Sequence, residues 1–323
     1  MFCGTSAMAQ GGPIVIKFSH VVTANTPKGL AAEYFAKRAA ELTGGRVKVQ
    51  VFPNSSLYKD KEEMEALQVG EVQMLAPSLA KFGPLGVKEF EVFDLPYIFD
   101  GQNEARLITN GRVGKELLSK LEPRGIKGLA FWENGFKQFS ANTPIRSAAD
   151  MRGKKFRIQS SRVLEEQMRV VGALPLPMAF SEVYQALLTG VVDGQENPIS
   201  NFYTQKMHEV QKHLTISDHG YLGYAVITNK KFWDGLPTEV RGQLEVAVKD
   251  ATHYANSIAA QKNEDDLKGV IASGRTQVYR MTLAEKKAMK KAFLPAHANM
   301  EGRIGKDLIQ RVYRETNFDP RRF

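Results

Sequence analysis

The first eighty residues alternate between segments typical of β-strands and segments typical of helices, and this order restricts the possible folds strongly. Runs rich in β-branched residues at 14–22, 47–52 and 72–76 predict strands. Apolar residues at helical spacing predict one helix that begins at Pro27 and another over 60–69. A β-α-β-α-β order is typical of a parallel sheet with helices on its faces.

A second segment with the same alternation begins near residue 125. Its predicted strands cover 126–132, 154–159, 173–178 and 191–192, with 173–178 at a sheet edge, and its predicted helices cover 162–171 and 181–188. A domain usually has about 100 to 200 residues, so two α/β units in a chain of 323 residues predict two lobes.

A long uninterrupted segment bears on how the lobes are joined. Residues 243–268 contain neither glycine nor proline, and a stripe of small and aliphatic residues runs along them at helical spacing. A helix of these 26 residues is about 39 Å long, more than one small domain needs, so we predict that it spans both lobes. A coiled coil is the alternative, but the heptad spacing is lost at 262–266. Two further helices are predicted over 283–293 and 296–314.

The chain is basic: 44 Lys and Arg against 35 Asp and Glu give a formal net charge of +9. Such a charge fits a nucleic acid, an acidic membrane or an anionic small ligand. The basic residues are dispersed and often lie beside acidic ones, as in residues 59–63, which predicts exposed faces of mixed sign. No long basic segment is interleaved with aromatic residues, so we predict no nucleic-acid binding. No apolar run approaches the roughly 18 residues of a membrane span, so the chain is not expected to span a membrane.

The first dozen residues indicate a compartment. Ala7 and Ala9 form the A-x-A pattern of a signal-peptidase site, which predicts cleavage after Ala9 and a leader remnant or disordered segment over residues 1–12. Cys3 is the only cysteine, so the cleaved chain has none, which suits the oxidising bacterial periplasm. The alternative is a flexible terminus with no targeting role.

Motifs for catalysis and for metal or cofactor binding are scarce. The six histidines contain no H-E-x-x-H pattern, and one cysteine excludes a cysteine-rich metal site. No G-x-S-x-G, P-loop or strand-linked G-x-G-x-x-G motif occurs in the sequence. We therefore predict no metal and no cofactor, and we favour binding over catalysis. Pairs of catalytic carboxylates leave little trace in a sequence, so an enzyme stays an alternative.

Arg157 is the most informative single residue for function. In the predicted strand 154–159, Phe156 and Ile158 share one face and Arg157 projects to the other, near the end where α/β sheets bind ligands. Its guanidinium offers two parallel N–H donors that match a carboxylate, and a surface salt bridge is the alternative.

A second candidate is the DGQENP segment at 193–198. We expect a strand to break at Gly194 and Asn197 to form hydrogen bonds from a loop. A plain turn is the alternative.

Three longer motifs carry a family resemblance. They are ADMRGKKFR at 149–157, PMAFSEVYQAL at 177–187 and VDGQENP at 192–198. Together the chain resembles the extracytoplasmic substrate-binding subunits of tripartite ATP-independent periplasmic (TRAP) transporters, over nearly its whole length. The resemblance implies an α/β periplasmic binding protein of the two-lobed, Venus-flytrap type, with a long helix across both lobes. We place residues 13–134 and 223–264 in lobe I and residues 135–222 and 265–323 in lobe II.

The resemblance also implies a binding site between the lobes. Arg157 corresponds to the arginine that pairs with the ligand carboxylate, Asn197 to the asparagine of the G-Q-E-N-P motif, and Phe180 to a residue that packs on the ligand carbons. Lys137 stands where sialic-acid binders have a further arginine, which argues against sialic acid.

Residues 18–22 (FSHVV) and 26–29 (TPKG) are most similar to the branch that binds C4-dicarboxylates such as malate, succinate and fumarate. In that branch Lys28 is expected at the distal carboxylate, and the remaining lining residues are expected to be Ser78, Gln159, His20 and Tyr224.

The implied function is capture of a small organic acid and its delivery to the membrane subunits of a TRAP transporter. A buried dianion needs at least two fixed cations, and Lys28, Lys137 and Arg157 are candidates. Lobe closure follows as a population shift, because only the closed state contacts the ligand from both sides. We expect a monomer without enzymatic activity. The alternatives are a binder of a 2-oxo, sugar or aromatic acid, a sensor subunit that presents the ligand to a receptor, and an enzyme acting on an acidic substrate.

Overall fold

The computed structural model describes residues 12–323. The predicted cleavage after Ala9, and all but the last residue of the predicted leader remnant, lie outside these residues. Within them the chain forms one sheet of nine strands. The strands are β1 (Ile14–Ser19), β2 (Val47–Phe52), β3 (Met74–Leu75), β4 (Ile126–Ala141), β5 (Lys155–Ile158), β6 (Leu174–Pro177), β7 (Gly194–Asn197), β8 (His213–Asn229) and β9 (Gln277–Arg280).

Helices cover both faces of the sheet in the part of the chain that is described. The helices are α1 (Pro27–Leu42), α2 (Asp60–Val69), α3 (Gln102–Asn110), α4 (Arg112–Ser119), α5 (Arg162–Val170), α6 (Val183–Leu188), α7 (Ile199–Thr204), α8 (Lys230–Asp234), α9 (Thr238–Ser273), α10 (Leu283–Phe293), α11 (Pro295–Ile304) and α12 (Lys306–Thr316). The predicted β-α-β-α-β order of the first eighty residues is confirmed, with a shorter third strand. The single helix predicted over 296–314 is wrong, because Gly305, with φ of 104°, separates α11 from α12.

Two long antiparallel strands join the two ends of the sheet. The strand order is β2-β1-β3-β8-β4-β7-β5-β6, and β9 pairs with β8. At one end of the sheet, the second half of β8 lies between β3 and the first half of β4. At the other end of the sheet, the first four residues of β8 lie between β4 and β9. The register of β4 against β8 shifts between Glu133 and Gly135 and again between Lys137 and Phe139, so the two ends meet at irregular backbone.

The predicted strand end at Gly194 is wrong, and so is the alternative of a plain turn over 193–198. Residues 191–192 form no strand, and β7 begins at Gly194 instead of ending there. A Cβ on Gly194 would lie 2.4 Å from the carbonyl oxygen of Ser140 and 2.7 Å from the ring of Phe156. The glycine is therefore required by the close approach of β7 to its neighbours. As a result Asn197 projects from the end of a strand, not from a loop.

The long helix α9 packs on both ends of the sheet, as predicted. It has 36 residues and is about 54 Å long. Leu244 and Ala251 belong to a buried cluster with Phe35 of α1, whereas Val270 belongs to a different cluster with Phe202 of α7. The helix therefore connects elements of the two predicted lobes.

The residue boundaries of the lobes stay a prediction. Helix α10 packs with β4 and β5, in agreement with its assignment to lobe II. Helix α12 packs on α3, since Ile309 and Val312 share a buried cluster with Ile108. The C-terminal segment therefore contacts both predicted lobes.

Candidate functional site

Two adjoining cavities lie where the carboxyl ends of the parallel strands meet. The outer cavity has a volume of about 250 Å³ and the inner one about 10 Å³. Asp60, Lys81 and Gln159 line both cavities, so the two cavities adjoin at these residues. The predicted site residues that line the inner cavity are Lys28, Ser78, Gln159, Phe180, Asn197 and Tyr224.

Strand order explains why residues far apart in sequence meet at these cavities. Lys28 lies in the first turn of α1, just after β1, and Ser78 follows β3. Gln159 follows β5, and Asn197 is the last residue of β7. Each therefore lies at the carboxyl end of a strand, where α/β sheets bind ligands.

Arg157 lines the outer cavity with its side chain held in place. Its Nε and Nη2 donate to the carbonyl oxygen of Met178 at 3.1 and 2.8 Å. Its Cζ lies 5.7 Å from the ring centroid of Phe180, and its Nη1 is buried without a hydrogen-bond partner. Phe156 and Ile158 are buried in the core behind it, so the predicted alternation is confirmed. The alternative of a surface salt bridge is wrong, because the side chain is only 1% exposed.

Lys28 is a buried cation at the inner cavity. Its Nζ donates to the carbonyl oxygen of Ala76 at 3.0 Å and lies 4.0 Å from the ring centroid of Tyr224. Burial lowers the pKa of Lys28 to about 7, although Glu63 attracts its positive charge. A carboxylate brought to this ammonium group would favour its charged form.

Lys81, Asp60 and Glu63 form a buried charged cluster that the sequence analysis missed. Lys81 Nζ forms an ion pair with Asp60 and donates to Glu63 Oε1 at 3.2 Å. Burial opposes the charge on Lys81, but these two carboxylates raise its pKa above its ordinary value. Asp60 also accepts from the backbone N–H of Phe180 at 2.6 Å. Burial would raise its pKa, but Lys81, Arg157 and this hydrogen bond bring it down to about 2.

The interpretation of residues 59–63 as an exposed face of mixed sign is thus wrong for two of them. Glu63 is 1% exposed, and Asp60 lines both cavities. The helical spacing of α2 could have indicated the burial of Glu63, because Glu63 lies on the same stripe of the helix as the buried Met64 and Leu67. Burial raises the pKa of Glu63, although Lys81 and Lys28 favour its ionised form.

A chain of side-chain amides supports the floor of the inner cavity. Asn134 Nδ2 donates to Tyr224 Oη at 2.8 Å and to Asn201 Oδ1 at 3.0 Å. Asn201 Nδ2 donates to Asn197 Oδ1 at 3.3 Å, and Asn197 Nδ2 donates to Gln195 Oε1 at 2.6 Å. These bonds fix the orientation of Asn197 and Tyr224. Asn134 and Asn201 were not predicted as site residues, because their isolated positions in the sequence carry no motif.

Two predicted ligand-binding residues, Lys137 and His20, line neither cavity. Lys137 is buried and donates to Glu196 Oε1 at 2.7 Å, so a carboxylate of the chain already neutralises it. His20 is 1% exposed, and burial, with Lys28 nearby, lowers the pKa of its ring to about 3. Neither side chain is therefore among the lining of the two cavities, and a ligand role for Lys137 and His20 stays a prediction.

Residues 12–323 show neither a metal site nor a membrane-spanning helix. No group of three or more His, Cys, Asp or Glu side chains in this range has the arrangement of a metal site. None of the helices in the same range is both long and apolar enough to cross a membrane.

Comparison with known families decides the class of this site. Residues 18–303 match the family model described as bacterial extracellular solute-binding protein, family 7. The chain belongs to this family. The resemblance to TRAP substrate-binding subunits is therefore confirmed, and with it the two-lobed α/β fold class. A similar relative of this solute-binding protein is the "C4-dicarboxylate-binding periplasmic protein DctP" of Rhodobacter capsulatus, 59% identical over 95% of this chain and 92% of the relative.

Solved structures of similar proteins contain small carboxylates. A TRAP periplasmic solute-binding protein from Shewanella oneidensis with bound succinate is 40% identical, with a TM-score of 0.92 over 94% of this chain and all of that chain (100%). One from Pseudomonas aeruginosa with bound L-malate is 41% identical, with a TM-score of 0.87 over 89% of this chain and 100% of that chain. This solute-binding protein thus shares its fold with relatives that bind four-carbon dicarboxylates.

Proposed function

We propose that this protein captures a C4-dicarboxylate, namely malate, succinate or fumarate, and delivers it to the membrane subunits of a TRAP transporter. The observation that supports the proposal most directly is the pair of buried cations, Lys28 and Arg157, at adjoining cavities. In the described residues each donates only to a backbone carbonyl oxygen and neither forms an ion pair with a carboxylate. Both charges are thus available to a ligand with two carboxylates.

The polar residues around these cations suit a small acid. Asn197 and Tyr224 line the inner cavity together with Lys28, and Arg157 lines the adjoining outer cavity. Lys81 adds a third cation, which Asp60 and Glu63 already offset. We infer that one ligand carboxylate binds Arg157 and the other binds near Lys28, with Phe180 against the carbon chain.

Lobe closure provides the signal for transfer. Gln159 Nε2 donates to Ser78 Oγ at 2.7 Å, and Asp60 accepts from the N–H of Phe180, so both contacts connect the predicted lobes. A ligand held by Lys28 and Arg157 adds contacts from both sides and stabilises the closed state. A membrane partner that recognises this state receives only loaded protein.

We place the protein in the periplasm, after cleavage behind Ala9, as a monomer that returns its ligand chemically unchanged. The family consists of binding proteins, and the relative from Rhodobacter capsulatus is named a periplasmic protein. Mass spectrometry of the secreted protein tests the cleavage site. Light scattering with and without ligand tests the monomer.

Calorimetric titration against a panel of carboxylates tests the ligand. We expect C4-dicarboxylates to bind and to raise the melting temperature, with 2-oxo, sugar and aromatic acids weaker. Tight binding of one of these other classes alone would overturn the dicarboxylate proposal.

NMR of the ligand after incubation with the protein must show the ligand unchanged, since turnover would indicate an enzyme. Deletion of this protein's gene should abolish uptake of the ligand into cells; loss of a transcriptional response alone would indicate a sensor.

A further inference from the structure

Two side-chain atoms at the cavities are buried without a hydrogen-bond partner. Of the described residues that line the cavities, these atoms are Nη1 of Arg157 and Oε1 of Gln159. One is a donor and the other an acceptor. A buried polar atom without a partner is costly, so each position favours a ligand that supplies the missing partner.

The amide orientation of Gln159 leaves its oxygen without a hydrogen-bond partner at a residue that lines both cavities. Its Nε2 donates to Ser78 Oγ at 2.7 Å, and Ser78 is itself 3% exposed. Other amide oxygens at the inner cavity are occupied: Asn197 Oδ1 accepts from Asn201, and Asn201 Oδ1 accepts from Asn134. Among these three amide oxygens of described residues at the inner cavity, Gln159 Oε1 is therefore the one that can still accept a hydrogen bond from a ligand.

Arg157 and Gln159 both line the outer cavity. They are two positions apart, Arg157 in β5 and Gln159 directly after it, and continued alternation favours the same face for both side chains. Two residues of strand separate their Cα atoms by roughly 6.6 Å. A carboxylate that accepts from Arg157 thus has its neighbouring carbon within reach of Gln159.

The chemistry of the candidate ligands differs at this neighbouring carbon. Ionised succinate and fumarate contain acceptor oxygens only, so neither donates a hydrogen bond to Gln159. Malate has a hydroxyl group next to one carboxylate, and a hydroxyl donates as well as accepts. A site built to bond a hydroxyl rejects an analogue without one more strongly than a purely apolar site would.

We propose that Gln159 determines specificity by accepting a hydrogen bond from the 2-hydroxyl group of the ligand, while Arg157 binds the adjacent carboxylate. The preferred ligand is then a 2-hydroxy C4-dicarboxylate. This inference rests on the proposed function and narrows its ligand class. Neither the family membership nor the names of the relatives assign this role to Gln159.

Calorimetric titration of the wild-type protein gives the first test. One enantiomer of malate is expected to bind at least about tenfold more tightly than succinate. The comparison ligand is 2-methylsuccinate, which has malate's branch without its hydroxyl, and it should bind no more tightly than succinate. Equal affinity for malate and succinate overturns the inference. Failure of all three ligands to bind overturns the proposed function instead, so the two failures are distinguishable.

Substitution at Gln159 gives the second test. Gln159→Met keeps the length of the side chain but removes the acceptor, so the affinities for malate and succinate should converge to within about threefold. Gln159→Glu keeps an acceptor and should retain the preference, with both ligands bound more weakly through charge repulsion. Gln261→Met, on the exposed face of α9, is the matched control and should retain the wild-type ratio. A wild-type ratio in a folded Gln159→Met variant overturns the assignment.

Discussion

Lys137 and Glu196 form a buried ion pair between neighbouring strands, with Nζ of the lysine donating to Oε1 at 2.7 Å. The other oxygen of Glu196 lies 2.9 Å from Nε2 of His219 and accepts from Gln167 at 2.8 Å. Burial would raise the pKa of Glu196, but Lys137 and His219 hold it below its usual range. Lys137 thus compensates a buried charge of the fold.

Replacement of Lys137 by methionine should therefore affect stability and leave affinity unchanged. Lys137→Met leaves the Glu196 carboxylate buried without its ammonium partner, which is expected to cost about 3 to 5 kcal/mol of unfolding free energy. The dissociation constant for a dicarboxylate should change by less than about threefold while the variant is folded. Urea denaturation and calorimetry measure the two quantities.

The double variant Lys137→Met with Glu196→Gln is the control for this prediction. It removes both charges, so it should recover part of the lost stability. A large loss of affinity in Lys137→Met without a loss of stability would instead make Lys137 a ligand residue.

Replacement of Arg157 should reduce ligand affinity, in contrast to replacement of Lys137, which should reduce stability. Arg157→Ala removes the guanidinium at the outer cavity and is expected to cost about 2 to 5 kcal/mol of binding free energy. Arg157→Lys keeps the charge but not the planar pair of donors, so it should recover only part of the affinity. Arg162→Ala, whose side chain is 63% exposed at the start of α5, is the matched control and should bind normally. Wild-type affinity in Arg157→Ala would remove this residue from the site.

Local signals explain which elements the sequence analysis predicted. Helix α1 begins at Pro27 behind Thr26, whose side chain accepts from the N–H of Gly29, and α2 ends at Gly70 in the left-handed region, with φ of 86°. These start and stop signals lie within a few residues of the helix ends, so they are visible in the sequence. The position of Arg157 likewise followed from alternation along one short strand.

Non-local packing explains what the sequence analysis missed. Strand β8 depends on partners from β3, β4 and β9, which lie far from it in the chain, and it was not predicted. Lys81 and Asp60 have the residue types of an ordinary surface pair, but in the fold they are largely buried, and Asp60 accepts from the backbone N–H of Phe180, which belongs to the other predicted lobe. Conversely, Lys137 matched a ligand position by motif, but the partner that neutralises it, Glu196, comes from a separate strand.

Gly194 provides a test of the close strand packing beneath the site. Gly194→Ala adds a Cβ 2.4 Å from a backbone oxygen that cannot move without breaking the β4–β7 pairing, so we expect a loss of about 1 to 3 kcal/mol. Gly242→Ala in α9 is the matched control. Its Cβ meets no atom within 4 Å, and alanine favours a helix, so stability should rise by about 0.5 to 1 kcal/mol. Denaturation curves with equal stability for both variants would contradict the packing described here.

Ligand affinity should decrease as the pH rises above neutral because of Lys28. Burial lowers its pKa to about 7 in the unliganded protein, and only the charged ammonium group attracts a carboxylate. The dissociation constant is therefore expected to rise by up to about tenfold per pH unit above this pKa, until the pH passes the higher pKa of the liganded state. Two neighbouring groups do not contribute to this pH dependence, because the pKa of Asp60 is about 2 and that of His20 is about 3, both far below neutral pH.

Calorimetry between about pH 6 and pH 9, in buffers of different ionisation enthalpy, measures this dependence and the proton taken up on binding. The same shift predicts that the stability of the unliganded protein rises with pH above about 7, because the unfolded chain then binds more protons at Lys28 than the folded one. Lys28→Gln has no titrating ammonium group and should bind weakly with the same affinity across this range. A wild-type affinity independent of pH, or a pH dependence retained in Lys28→Gln, would remove Lys28 as the titrating group.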